Sequence, residues 1–355
     1  MPLHSIGLNS WTVHQIEDHL REGWKAARVI AVHRNMLVIH DGEREIKAEL
    51  TGRLQFIAQL PKDLPTVGDW VSAQIMDQGE FAVIDVVLPR HSVVARKAAG
   101  DRVEEQLIAA NVDVAFIVQA CDADFNLRRL ERYLVAVRSG NVRPILLLSK
   151  SDLVTKDEQQ ALIEQVHSIE PFLPVVLFSN DVQEGWNAVD SLLEPGKTHC
   201  LLGSSGVGKS TLVNRLIGSD LLKTSAIRES DGKGRHTTTS RHLIVLESGA
   251  ILIDTPGMRE FGTIGVESGV SETFSDIEEI GTHCRFTDCS HTVEKGCALI
   301  SAVESGTLEA SRLTSYLKLQ KESARNEMSL ADRRKKDKNQ GKFYKQVIQA
   351  KKDRR

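Results

Sequence analysis

Gly203-Ser204-Ser205-Gly206-Val207-Gly208-Lys209-Ser210 is a complete phosphate-binding loop, and it restricts the fold around it tightly. Such a loop works only where a buried strand runs into it and a helix leaves it. Thr198 to Leu202 reads as that strand and Thr211 to Ile217 as that helix, which sets an α/β domain at the centre of the chain. Glycines at 203, 206 and 208 let backbone N–H groups wrap phosphates at the helix N-terminus. Lys209 can reach the outer phosphates and the Ser210 hydroxyl can ligate Mg²⁺.

The partners of this loop stand in a rotated order. Asp254-Thr-Pro-Gly257 follows the apolar run Ala250 to Ile253, where a strand-end carboxylate can sit behind Mg²⁺ and the Gly257 N–H near a terminal phosphate. Between the two lie Thr237, Thr238 and Thr239 in a polar, glycine-containing loop. Any of the three hydroxyls can face the metal in a switch segment, and a solvated loop is the other reading. A base-recognition motif normally comes after the phosphate loop; here Ser149-Lys150-Ser151-Asp152 precedes it, at the end of the buried run Pro144 to Leu148. The Asp152 carboxylate can accept both guanine N1–H and the exocyclic amine, a donor pair that adenine lacks. Lys150 can lay its stem along the base. Serine replaces the usual asparagine at the first position, and its shorter hydroxyl cannot form the same amide contacts. Taken alone, the tetrapeptide also reads as a helix start.

Cys284, Cys289, His291 and Cys297 fall within fourteen residues and supply the thiolate and imidazole donors of a closed, structural tetrahedral zinc site. His283 competes with His291 as the nitrogen ligand. With five cysteines and no apolar signal core, a disulfide framework is disfavoured and a cytoplasmic protein is expected. Cys121 and Cys200 read as inert core thiols. No stretch approaches the apolar length of a membrane span. The net charge of −3 hides an uneven distribution, since residues 331–355 carry +8 and the rest −11. That basic tail is suited to phosphate contact, with Phe343 and Tyr344 as stacking groups. From residue 25 to about 90 the pattern is a small β domain, with a turn at Asp41 and Gly42.

These motifs in this order, together with Gly68-Asp-Trp-Val71, Glu105 to Asp113, Asn126 to Leu130 and Met258 to Gly262, resemble the small-ribosomal-subunit-dependent GTPase A family, circularly permuted GTPases that act as bacterial ribosome-assembly factors. The resemblance spans about residues 25 to 320. It implies an N-terminal extension (1–24), an OB-type barrel (25–95), a circularly permuted P-loop GTPase domain (96–265), a zinc-binding helical module (266–330) and the basic tail (331–355). It favours His291 as the fourth zinc ligand. It further implies GTP and GDP as ligands, Mg²⁺ with GTP, one structural Zn²⁺, the small ribosomal subunit and its rRNA as partners, and a monomer. Hydrolysis would release the protein from nearly mature subunits. Two departures bear on chemistry. Met258 stands where many GTPases carry a water-orienting glutamine, and Thr263-Ile264-Gly265 replaces the Leu-Trp-His of many relatives. Both imply a low intrinsic rate, raised when the subunit orders residues 234–239, where Arg235 and His236 are candidates for transition-state contacts, with surface solvation as the other reading. A nucleotide-dependent rRNA-binding scaffold with negligible turnover is the alternative. Phe178-Ser179-Asn180 departs from the Ser-Ala motif that the family places beside the base.

Overall fold

The computed structural model describes residues 3–33, 36–76, 79–97, 105–218, 241–254 and 267–327. After a 3-10 turn at Leu3–Ile6, helix α1 (Ser10–His19) starts where the Asn9 side chain accepts the Thr12 N–H at 2.8 Å. Strands β1 (Lys25–Val32), β2 (Leu37–His40) and β3 (Glu45–Leu50) follow, then helix α2 (Gly52–Ile57) and strands β4 (Trp70–Met76) and β5 (Phe81–Val87). The β2–β3 turn falls where Asp41 and Gly42 predict it. Asp41 Oδ1 accepts the N–H groups of Glu43 and Arg44, and Gly42 takes a φ of 96°. The five strands close in the order β1-β2-β3-β5-β4-β1, with β3 and β5 parallel and the other pairs antiparallel. Ala27, Val29, Ile39, Ile46, Val71 and Ile84 fill the interior. This is an OB-like barrel, as expected.

A two-stranded ribbon, β6 (Val93–Lys97) and β7 (Glu105–Ala110), leads into the α/β domain. There β8 (Val114–Ala120), α3 (Leu127–Ser139), β9 (Arg143–Ser149), α4 (Lys156–Ile169), β10 (Val175–Leu177), α5 (Trp186–Ser191), β11 (Thr198–Leu202), α6 (Lys209–Ile217), β12 (Arg241–Val245) and β13 (Ile251–Asp254) alternate. The strand order is β10-β9-β8-β11-β13-β12, parallel except for β12. The near-continuous apolar strands are buried on both faces, as parallel strands require. Leu130 and Leu134 of α3 and Val166 of α4 cover one face, and Val189 of α5 and Leu212 and Val213 of α6 the other.

The barrel and this sheet are one hydrogen-bonded surface. β12 pairs with the end of β1, placing Ala31 opposite His242 and Val32 opposite Arg241. Beside this seam Arg28 of β1 is fully buried and donates to the carbonyls of Ile6, Gly68 and Asn111 and to Thr198 Oγ1 at 2.5 to 3.2 Å. Burial pulls its pKa down to about 10, against the opposing attraction of Asp113 and Asp69. One side chain thus joins the N-terminal turn, the barrel and the first and phosphate strands of the α/β domain. The N-terminal turn thus supplies the Ile6 carbonyl to that cation.

A third core lies in α7 (Glu267–Thr273), α8 (Ser275–Gly281), α9 (Ala298–Glu304) and α10 (Ala310–Glu327), built on Phe274, Ile277, Leu299, Leu313, Tyr316 and Leu319. Val135 of α3 packs into it. Arg312 of α10, itself buried, bridges Glu131 of α3 at 2.9 Å and Asp276 of α8 at 2.8 Å.

Candidate nucleotide site and metal centre

The carboxyl ends of β10, β9, β8, β11 and β13 lie along one edge of the sheet, the edge where an open α/β sheet binds its ligand. Each nucleotide motif among the described residues leaves from one of them, so the rotated sequence order is undone in space. At the phosphate loop, Gly203 takes a φ of 150°, and a Cβ there would stand 2.3 Å from the Val118 carbonyl oxygen. Only glycine lets the loop leave β11 this close to β8. Gly206, exposed Ser205 and buried Val207 complete the turn, and Gly208 caps α6. Lys209 Nζ donates to the carbonyls of Gly203 at 2.7 Å and Ser204 at 2.5 Å, which holds the ammonium against the loop. Ser210 is exposed in the first turn of α6.

Asp254 ends β13 facing this lysine. Burial raises the Asp254 pKa, and Lys209 pulls it part of the way back. Burial likewise lowers the Lys209 pKa, with Asp254 opposing. The two groups share one partly desolvated space, the setting in which a metal phosphate complex is held most strongly. Thr237, Thr238, Thr239 and Gly257 lie outside the described residues, as do Arg235, His236, Met258, Gly265 and the tail at 331–355.

On the base side, Ser149 is fully buried at the end of β9, and its hydroxyl lies 2.7 Å from the carbonyl oxygen of Val207 and 3.2 Å from that of Gln119. The serine therefore reaches the phosphate loop after all. The contact runs through one hydroxyl, where the usual asparagine would bring a carboxamide. Lys150, in a left-handed conformation with φ 58°, pairs with Asp122 at 2.8 Å. That contact is the main cause holding the Asp122 carboxyl below its usual range. Ser151 is buried, with its carbonyl accepting Gln159 Nε2 at 2.8 Å, and Asp152 is exposed in the short turn that follows. After β10, Ser179 Oγ accepts the N–H groups of Asp181 and Val182, and Asn180 Nδ2 donates to the Gly208 carbonyl at 3.3 Å.

Sequence reasoning missed Asp122 and Asp124. Asp124 accepts the Ser204 hydroxyl at 2.8 Å and is held by Arg129 at 3.0 Å, so the loop after β8 braces the phosphate loop. The signal was available, since two carboxylates stand within three residues at the carboxyl end of a parallel strand. Cys121 and Cys200 behave as read, buried, with burial pushing each thiol up to about 12.

The ligand atoms of Cys284, Cys289, His291 and Cys297 all lie within 4.8 Å of one another. His291 Nδ1 is 3.5 Å from both Cys284 Sγ and Cys297 Sγ, and those sulfurs are 3.9 Å apart. A tetrahedral Zn–S bond of about 2.3 Å requires sulfurs about 3.8 Å apart, so the donor set and its spacing fit a metal ion. His283 is turned away, with Nδ1 on the Glu279 carbonyl at 3.2 Å. The Glu294 carboxylate ties the intervening loop, accepting the N–H groups of Ser290, Thr292 and Val293. With the Ser290 hydroxyl as the largest cause, these contacts bring it down to about 2.

Comparison with known proteins agrees with this geometry. The RsgA GTPase family model matches residues 87–264. "Small ribosomal subunit biogenesis GTPase RsgA 2" of Vibrio parahaemolyticus is 42% identical over 353 residues, 99% of this chain and 94% of the relative. "Small ribosomal subunit biogenesis GTPase RsgA" of Opitutus terrae is 41% identical over 333 residues, 91% of this chain and 90% of the relative. Among solved structures, YjeQ from Thermotoga maritima aligns with a TM-score of 0.60 at 25% identity, covering 83% of this chain and 97% of that one. The circularly permuted GTPase YloQ aligns with a TM-score of 0.58 at 24% identity, covering 88% and 99%. A permuted nucleotide edge, an OB-like barrel, a Cys₃His cluster and this depth of identity have one common meaning: the chain belongs to the RsgA GTPase family.

Proposed function

We propose that this protein hydrolyses GTP to GDP and phosphate in the late maturation of the small ribosomal subunit, and that hydrolysis drives its release. The observation that carries the reading is the convergence of phosphate loop, Lys209, Asp254 and the Ser149–Asp152 turn on one sheet edge, in a chain whose relatives are named as small-subunit biogenesis GTPases. Residues Gly203 to Ser210 cradle the phosphates and Asp152 reads guanine, with Lys150 against the base. Ser210, Asp254 and the Thr237–Thr239 loop serve Mg²⁺, and Gly257 serves the terminal phosphate. Cys284, Cys289, His291 and Cys297 hold one structural Zn²⁺ ion. The unit boundaries follow the sequence reading, 1–24, 25–95, 96–265, 266–330 and 331–355, with the tail and zinc module as rRNA contacts. The protein acts as a cytoplasmic monomer. Among the described residues no helix is long and apolar enough to cross a membrane.

The test is the GTP hydrolysis rate of the purified protein, alone and with saturating small subunits, against ATP and large subunits as controls. Stimulation by small subunits alone, about 10³-fold or more where an external group completes such a site, is expected. GTP-dependent binding without stimulation would reject turnover as the function. Asp152→Ala should erase most of the preference for GTP over ATP, about 10⁴-fold for a site built around a donor pair, as read by nucleotide competition.

A further inference from the structure

Two departures from the usual base-recognition pattern, Ser149 and Asn180, meet at one place in the structure. Ser149 Oγ lies 2.7 Å from the Val207 carbonyl, and Asn180 Nδ2 donates to the carbonyl of the next residue, Gly208. An asparagine at position 149 would bring a carboxamide with two N–H donors to the phosphate loop. A serine brings one O–H, and the nearer acceptor, Val207, takes it. The adjacent carbonyl, which already accepts the Leu212 N–H at 2.9 Å as the first turn of α6 forms, receives its second donor from Asn180.

The orientation of the Asn180 amide follows from its surroundings. Its nitrogen faces a carbonyl, so reversing the group would set two acceptors against each other. The contact is close-packed as well, because a Cβ at Gly208 would stand 2.5 Å from Asn180 Nδ2. Asn180 Oδ1 is buried and has no hydrogen-bond partner among the described residues. An apolar residue would leave no such orphan, and the contact made by the nitrogen offsets its cost.

We infer that Asn180 supplies the carboxamide that Ser149 lacks, and that the pair together braces the phosphate loop against the base-binding turn. Asn180 is a positioning residue. It fixes the spacing between the loop that holds the phosphates and the turn that carries Asp152, so that one nucleotide satisfies both without reordering either. The inference rests on the nucleotide site proposed above.

The experiment is stopped-flow dissociation of a fluorescent GDP from the full-length protein and from Asn180→Ala, Ser149→Asn and the double variant, with the nucleotide-free melting temperature of each. Loss of one such hydrogen bond speeds dissociation by about threefold to tenfold, so that is expected for Asn180→Ala. Ser149→Asn in the same chain should return the rate to within about twofold of wild type, a coupling that independent sites do not show. An unchanged rate in Asn180→Ala overturns the inference, as does an equal loss from Asn180→Ala whether or not Ser149→Asn is also present. A melting temperature that falls with Asn180→Ala and is not recovered in the double variant makes Asn180 a packing residue only, and also overturns it. If wild-type protein holds no guanine nucleotide, the base-site reading itself fails. That result is separate from one in which wild type binds and the variants do not differ.

Discussion

Asp254 shows how one side chain can carry the pH dependence of a whole site. Burial holds its pKa above the ordinary carboxylate value in the nucleotide-free protein, whereas a bound Mg²⁺ would favour the charged form and draw the pKa down. Binding therefore releases a proton between those two values. Affinity for Mg²⁺-nucleotide should rise with pH through that window and level off above the raised pKa. Calorimetry in buffers of different ionisation enthalpy would read the proton directly. Asp254→Asn, which mimics the protonated form, should lose this slope along with metal-dependent affinity, and an unchanged slope would remove Asp254 from the metal.

At the scale of elements, the Cys₃His cluster and helices α9 and α10 share one hydrophobic core. Cys297 is both a prospective ligand and part of the core that contains Leu299, Leu313 and Leu319. Cys297→Ser, or treatment with a chelator, should therefore melt this module while leaving the nucleotide site folded. The expected loss of metal affinity exceeds the roughly tenfold to hundredfold typical of losing a supporting contact. Metal content and circular dichroism would measure it. Elements of this kind were legible in the sequence because their signals are local: the cysteine spacing and the phosphate loop between its strand and helix. The contacts of Ser149 with Val207, Asn180 with Gly208 and Arg28 with Thr198 were not. Each links residues far apart in the chain, and no periodicity records which distant carbonyl a side chain will find. Arg28 sits within an otherwise apolar strand, and a buried cation there becomes intelligible only once its four acceptors converge.

For the whole molecule, that cation is one of the contacts that join barrel and α/β domain. Arg28→Met keeps most of the volume but strands the acceptors at Ile6, Asn111 and Thr198, while the Gly68 carbonyl keeps the Asn111 amide. Leaving a buried acceptor without a donor costs about 1–3 kcal/mol. Chemical denaturation should show the loss, and limited proteolysis should show cleavage opening between barrel and ribbon while each part retains its core. A midpoint equal to wild type would mean that the β1–β12 seam and the Val67–Ala110 and Gly68–Asn111 hydrogen bonds hold the two together without it. The seam has a bearing on how the chain is made. Ala31 and Val32 leave the ribosome early, but their partners Arg241 and His242 come most of the chain later. At ordinary rates of synthesis the end of β1 waits on the order of 10 to 40 s with that edge unpaired. During translation the nascent barrel thus offers an open strand to any neighbour, and the polypeptide is shielded from mispairing only when β12 arrives to claim it.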